Sequence, residues 1–208
     1  MRMNLMGGGE RVWVNAVRTE VMKAHTIAEW MAEPEERRLE LVDGEFVEKA
    51  APDITHGLSQ AQLITAVSGP FSRPAGHGGA PGGWWIASEV DVRLGKDGFR
   101  PDVCGWRRDR VASMPRTRPV ELAPDWICEV LSESNRANDT VRKLRRYHQA
   151  GVEHYWLLDP ASGMLSVFRH EAEGYLNVLT AERHQVIRAT PFDAVELRVA
   201  VLLGDDPA

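Results

Sequence analysis

Apolar positions along this chain recur with helical and strand periods in turn, and the change from one to the other sets the expected order of elements. Thr26-Ile27-Ala28-Glu29 places a Thr N-cap three residues before a Glu, a capping box that opens a short helix ended by Pro34. Leu39–Val42 and Phe46–Glu48 are β-prone runs on either side of Asp43-Gly44-Glu45, and an Asp-Gly pair there favours the positive φ angles of a type I′ hairpin. After Pro52, Thr55 is placed to cap a second helix with Leu58, Ala61, Ile64 and Val67 at three-residue steps, until Gly69-Pro70 stops it. Trp84–Leu94, Asp102–Trp106 and Trp126–Leu131 read as strands. A helix is expected from about Asn138 to Ala150, with Val141, Leu144 and His148 on one stripe and Gly151 at C′. Glu153–Asp159 then returns to β, Pro160 and Gly163 turn the chain into Met164–Phe168, and further strands are expected near Tyr175–Leu179 and Val195–Leu203. This order predicts an α/β (α+β) fold, a mixed central sheet flanked by helices, with additional antiparallel strands at the C-terminal end. Residues 1–23 carry a Gly triplet and little periodicity and read as a flexible leader, so the expected domain is a single unit over 24–204.

Composition adds limits. The chain has 208 residues, 43% of them hydrophobic, enough for one substantial core. No apolar run approaches the roughly 18 residues of a membrane span, and MRMNLMGGGERVWV lacks the apolar stretch of a secretory signal, so a cytoplasmic location is expected. Cys104 and Cys128 sit in separate apolar runs, without Cys-x-x-Cys spacing, and are expected to be buried free thiols. A net charge of -5 argues against nucleic-acid binding by overall positive charge, although Arg100, Arg107, Arg108, Arg110, Arg116 and Arg118 form one local basic cluster and Arg136, Arg142, Lys143, Arg145 and Arg146 another. The glycine-rich loop His77–Gly83 has no Gly-Lys-Ser/Thr ending and precedes a strand, which argues against a phosphate-binding P-loop.

Chemistry enters through two acids. Asp102 opens one strand and Glu129 lies within the next, in the run Trp126-Ile127-Cys128-Glu129-Val130-Leu131. A single carboxylate in such a run would cost several kcal/mol if buried without compensation. A hard cation held by both carboxylates, a backbone carbonyl and waters would supply that compensation, as Mg²⁺ does in phosphoryl-transfer sites, with Mn²⁺ as a substitute. Lys143 lies on the helix after the Glu129 strand, where the returning chain would bring its ammonium near the acids, and Asp139 and Tyr147 lie one turn before and after it on the same face.

Several segments together carry a family likeness: Leu39-Glu40-Leu41-Val42-Asp43-Gly44-Glu45, Val90-Asp91-Val92-Arg93-Leu94, Pro101-Asp102 and Pro124-Asp125-Trp126-Ile127-Cys128-Glu129-Val130-Leu131-Ser132. It continues through Asp139, Lys143 and Tyr147 to the run Ala150–Pro160. Over about residues 25 to 180 the chain resembles the Uma-two family of restriction endonucleases, a branch of the PD-(D/E)XK nuclease superfamily. The resemblance implies a restriction-endonuclease-like core, Mg²⁺ at Asp102 and Glu129, and the superfamily's lysine at Lys143. Conventional members carry that lysine two residues after the Glu, where this chain has Leu131. Glu40 of the family-like hairpin is a further candidate, as an outer metal ligand or as a hydrogen-bond partner, and His56 at the start of the second helix resembles a family histidine that would face the acids, with Tyr147 as another supporting residue.

Other residues offer less. The remaining histidines, His77, His148, His154 and His170 among them, lack zinc-site spacing, and Ser132 and Ser134 lack a nucleophile elbow. Tyr147, Tyr155, Trp156 and Trp126 are expected in the core rather than stacked on bases. The sequence therefore points to a Mg²⁺-dependent endonuclease acting on DNA, with RNA an open alternative, working as a homodimer without a membrane partner. The competing reading is a catalytically inactive nucleic-acid-binding or assembly module that keeps the nuclease fold.

Overall fold

The computed structural model describes residues 24–132 and 139–206; the expected leader over 1–23 lies outside them, as does Ser134. Ten of the strands form two sheets. The larger sheet has the order β10-β9-β8-β7-β6-β3, built from β3 (Trp84–Ser88), β6 (Val103–Arg107), β7 (Trp126–Val130), β8 (His154–Asp159), β9 (Met164–Glu171) and β10 (Gly174–Glu182). Its neighbours pair antiparallel except β7 and β8, which are parallel. A parallel pair needs a crossover. Here it includes a π-helical turn, Asp139–Lys143, continuing into helix α3, Leu144–Gln149. The smaller antiparallel sheet, β2-β1-β5-β4, comprises β1 (Leu39–Val42), β2 (Glu45–Glu48), β4 (Val92–Leu94) and β5 (Asp97–Phe99). Before it comes α1 (Ile27–Ala32), whose Trp30 packs on Leu39 and Leu41.

Period-two alternation divides the large sheet's residues between two cores. Trp126, Cys128 and Val130 face α2 (Ile54–Phe71), together with Trp84, Val103, Trp156 and Phe192. The rings of Trp84, Trp126 and Trp156 all meet Phe192 at 4.8 to 5.7 Å between centroids, in edge-on contacts that favour one packing arrangement. On the opposite face Cys104, Trp106, Ile127, Tyr155 and Leu157 pack against Tyr147 of α3 and Phe99 of the small sheet. Cys104 and Cys128 thus belong to different cores; both are buried free thiols, and burial pushes their pKa values up.

Local signals hold. Thr26 and Glu29 form the reciprocal capping box, and Asp43 and Gly44 both have positive φ, 55° and 81°, between β1 and β2. Four expectations need correction. The strand expected over Trp84–Leu94 breaks at Glu89, whose φ is 54°, and the chain then makes the β4–β5 hairpin. Helix α2 is capped by Asp53, whose side chain accepts from the His56 amide, rather than by Thr55; it runs through Pro70 to Phe71. Its buried stripe is His56, Ser59, Leu63, Val67 and Phe71, while Leu58 is exposed. Val195–Leu203 is not one strand: the two-residue strand Leu197–Arg198, which pairs with Val186–Ile187, passes into α4, Val199–Leu202. An apolar run this short does not separate strand from helix by its period. In the crossover, finally, Val141 is 71% exposed and the inward stripe is Lys143 and Tyr147, because the partners there are carboxylates rather than a hydrophobic surface.

Candidate active site

The register of β6 on β7 pairs Val103 with Cys128 and Cys104 with Ile127. Asp102 lies just before β6, where continuing that register by one step would bring it opposite Glu129. Both are about 99% buried, on the face that holds α3 and the small sheet. Asp102 Oδ2 accepts the Val130 amide at 2.7 Å, which ties the end of β6 to the residue after Glu129.

Glu129 is met from the crossover. The Lys143 Nζ lies 3.2 Å from Glu129 Oε1 and 3.1 Å from Glu40 Oε1, and Tyr147 donates its hydroxyl to Glu129 Oε1 at 2.6 Å. Lys143 and Tyr147 are four residues apart, one above the other on the helical face. The π-turn ends at Lys143; one such turn changes which residues point inward, and π-turns are frequent at functional sites. Burial, and then the charges of Glu129 and Glu40, drive the Tyr147 pKa well up, so its hydroxyl stays a donor. Glu40, on β1, also accepts the Arg100 amide at 3.0 Å and so fixes the edge of the small sheet to the site.

Asp102 is met from a side that pattern reading missed. Lys49, just after β2, is 8% exposed and places its Nζ 2.6 Å from Asp102 Oδ1, 2.8 Å from the Arg100 carbonyl oxygen and 3.3 Å from Glu89 Oε1. His56 Nε2 is 3.3 Å from the same Asp102 oxygen. Gln60, one turn on from His56, donates to the Asp102 carbonyl oxygen at 2.8 Å and to Glu89 at 3.3 Å. Burial of Asp102 alone would raise its pKa, but the Lys49 ammonium and then His56 outweigh that and hold it well below the usual carboxylate range. Burial opposes the charge of Lys49 in the same way; Asp102 and Glu129 reverse the effect and raise its pKa. The only sequence signal for Lys49 was its place at the exit of the hairpin that carries Glu40.

His56 also lines a cleft of about 240 Å³ with Asp53, Thr55, Leu131, Ser132, Pro160 and Ala161, so the Asp102 side of the site has an approach from outside. Both ring nitrogens of His56 are buried without a well-directed hydrogen-bond partner, beside the Asp102 Oδ1 that is paired with Lys49. Buried polar atoms nearly always find one, and a cation with its waters would provide it here. Among the described residues no group of three or more His, Cys, Asp or Glu is arranged to hold a metal. An all-protein cage of the zinc type therefore does not fit, whereas Mg²⁺, which binds through one or two carboxylates and keeps waters and substrate oxygens, does.

The first arginine cluster is largely spent on internal pairs. Arg100 and Arg118 both bind Asp91, Arg110 binds Asp125, and Arg108 stacks on Trp85. In the second, Arg146 pairs with Asp43 and Asp97. Tyr147, Tyr155, Trp156 and Trp126 are fully buried, and His148 stacks on His170.

The mixed central sheet, its flanking helices and the additional antiparallel strands make up a restriction-endonuclease-like fold. The chain belongs to the Uma2 family, whose model, described as "Putative restriction endonuclease", matches residues 25–200. The structure is similar to a crystal structure from Anabaena variabilis described as "a putative nuclease belonging to DUF820", with a TM-score of 0.67 at 20% identity, covering 86% of this chain and 97% of that one. No curated protein matches the chain. No helix among the described residues is long and apolar enough to cross a membrane.

Proposed function

We propose that this protein is a Mg²⁺-dependent endonuclease that hydrolyses DNA phosphodiester bonds, with Asp102 and Glu129 as the metal-holding carboxylates and Lys143 as the catalytic cation. One observation carries the reading: two carboxylates from adjoining parts of the sheet, Asp102 and Glu129, each about 99% buried, with a buried ammonium 3.2 Å from the second. Asp102 and Glu129 would hold a divalent ion, which would supply polarisation of the phosphate and a lowered pKa for a bound water. The chain's own groups do the rest. Lys143, held between Glu129 and Glu40, steadies the nucleophile or the negative charge that develops on the phosphate. Tyr147 fixes the direction of the Glu129 carboxylate, and Glu40 fixes Lys143. His56, beside Asp102 at the wall of the cleft, is placed to exchange a hydrogen bond with a water there. Lys143 thereby takes the part played two residues after the Glu in conventional superfamily members, a place filled here by the buried Leu131. Two copies with one site each would suit cutting both strands of a duplex.

The test uses supercoiled and linear DNA, with RNA in parallel, incubated with wild type and with Asp102→Ala, Glu129→Ala and Lys143→Ala in Mg²⁺, Mn²⁺ or chelator. Wild type is expected to nick and linearise the plasmid only with metal, and each variant to lose at least about a hundredfold in rate. The inactive-module reading draws on the net charge of -5 and on Leu131 in the conventional lysine's place. Equal inertness of wild type and all three variants, with Mn²⁺ still bound, would establish it.

Tyr147→Phe tests the support behind Glu129. Loss of a 2.6 Å hydrogen bond to a buried carboxylate is expected to cost about 1.5–3 kcal/mol of stability and about 10–100-fold in Mn²⁺ affinity or cleavage rate. Urea unfolding and Mn²⁺ titration read the two effects separately. An unchanged Mn²⁺ affinity would remove Tyr147 from the metal's support.

A further inference from the structure

The two carboxylates do not share one lysine. Glu129 is paired with Lys143, which reaches across to Glu40, whereas Asp102 Oδ1 is paired with Lys49, 2.6 Å away on a different element. Asp102 Oδ2 is already committed to the Val130 amide, so Oδ1 is the oxygen left to face a cation, and Lys49 stands on it. We propose that Lys49 is a built-in counter-cation of Asp102 that a divalent metal must displace, so that this lysine sets the metal concentration at which the site loads. The inference rests on the reading of Asp102 and Glu129 as metal-holding residues.

Three features support displacement rather than a fixed structural pair. The ammonium has somewhere to go: it already touches the Arg100 carbonyl oxygen at 2.8 Å and Glu89 Oε1 at 3.3 Å, and both can keep it without Asp102. Glu89 is held ready by Arg38 at 3.1 Å and Gln60 at 3.3 Å. The charge count also favours exchange. Among the described residues at the site, three buried carboxylates, Glu40, Asp102 and Glu129, face two buried ammoniums, Lys49 and Lys143. A divalent ion entering beside a retained Lys49 would set two cations against one carboxylate oxygen, at a separation where like charges repel strongly in a medium of reduced dielectric. Lys143, by contrast, is paired with Glu129 and Glu40.

The experiment measures Mn²⁺ affinity without nucleic acid, by calorimetry or by the spectroscopic signal of free Mn²⁺, in wild type, Lys49→Met and Lys49→Arg. Removing the charge is expected to tighten Mn²⁺ binding about tenfold or more, while the arginine, which keeps it, is expected to stay within about threefold of wild type. Equal or weaker binding by a folded Lys49→Met protein overturns the proposal. Should that variant fail to fold, a wild-type crystal structure with Mn²⁺ decides: Lys49 Nζ moves off Asp102 Oδ1 if the proposal is right, and metal at Asp102 with Nζ still 2.6 Å away overturns it. Asp102→Asn and Glu129→Gln serve as separate controls. If both bind Mn²⁺ as wild type does, the metal-site reading itself fails and takes the displacement with it.

Discussion

Asp102→Asn is expected to lose metal-dependent cleavage by about 10²–10³-fold or more while remaining folded, whereas Asp102→Ala is expected to lose cleavage and much of its stability as well. The two differ in what they leave behind. Asparagine still offers the Val130 amide an acceptor in place of the 2.7 Å bond to Asp102 Oδ2. Alanine removes that acceptor and leaves the buried Val130 amide unpaired; both changes take the charge of Asp102 from Lys49, which keeps Glu89 and the Arg100 carbonyl oxygen. Leaving a buried amide without an acceptor costs about 1–3 kcal/mol beyond what the asparagine loses, a sizeable share of the roughly 5–15 kcal/mol that holds a domain together. The pH dependence has a definite sign. Because the folded-state pKa of Asp102 is depressed, the ionised carboxylate stabilises the fold above its ordinary titration range and this contribution is lost only as pH falls toward the depressed value. Urea midpoints at neutral pH and plasmid cleavage, measured on both variants, check the expectation. Full cleavage by Asp102→Asn would remove Asp102 from the chemistry.

How far the site could be read in advance depended on whether its signals were local. The Asp43-Gly44 turn and the Thr26 capping box are contained in four residues each, and a carboxylate inside Trp126–Leu131 announces a desolvation cost that something must offset. Lys49 carries no such local mark. It follows Glu48 at the exit of an exposed hairpin strand, and its burial is created by Arg100 and Asp102, 51 and 53 positions further along the chain. The two helices that bear site residues show a related effect. In α2 the inward face begins with His56 and Ser59, and in the crossover it is Lys143 and Tyr147, so apolar periodicity pointed to Leu58 and Val141, both of which are exposed. Polar residues were buried where chemistry is expected, so apolar spacing misplaced Leu58 and Val141, although Val67 of the same α2 stripe is buried and Lys143 and Tyr147 were expected on the face toward the acids. The break at Glu89 has the same origin. A residue with a φ of 54° ends β3 and turns its carboxylate toward Lys49, Arg38 and Gln60, a role that only the folded neighbourhood defines.

Lys143 offers the sharpest separation of structural from chemical roles. Lys143→Met is expected to cost about 3–5 kcal/mol, because it withdraws one buried ammonium from two buried carboxylates that both lie within 3.2 Å of it. It is also expected to lose cleavage by at least about a hundredfold. Adding Glu40→Gln should restore roughly 1–3 kcal/mol, since the second change removes one of the like charges that the ammonium had separated, and residues this close do not act additively. The glutamine keeps an oxygen for the Arg100 amide, so the edge of the small sheet stays attached. Cleavage should not return in the double variant, because stability is repaired by deleting a charge whereas the reaction needs a cation that the double variant lacks. Urea unfolding and plasmid cleavage on the two single variants and the double one complete the cycle. A double variant that regains both stability and cleavage would reduce Lys143 to a structural counter-ion and leave Lys49 as the remaining ammonium at the carboxylates among the described residues.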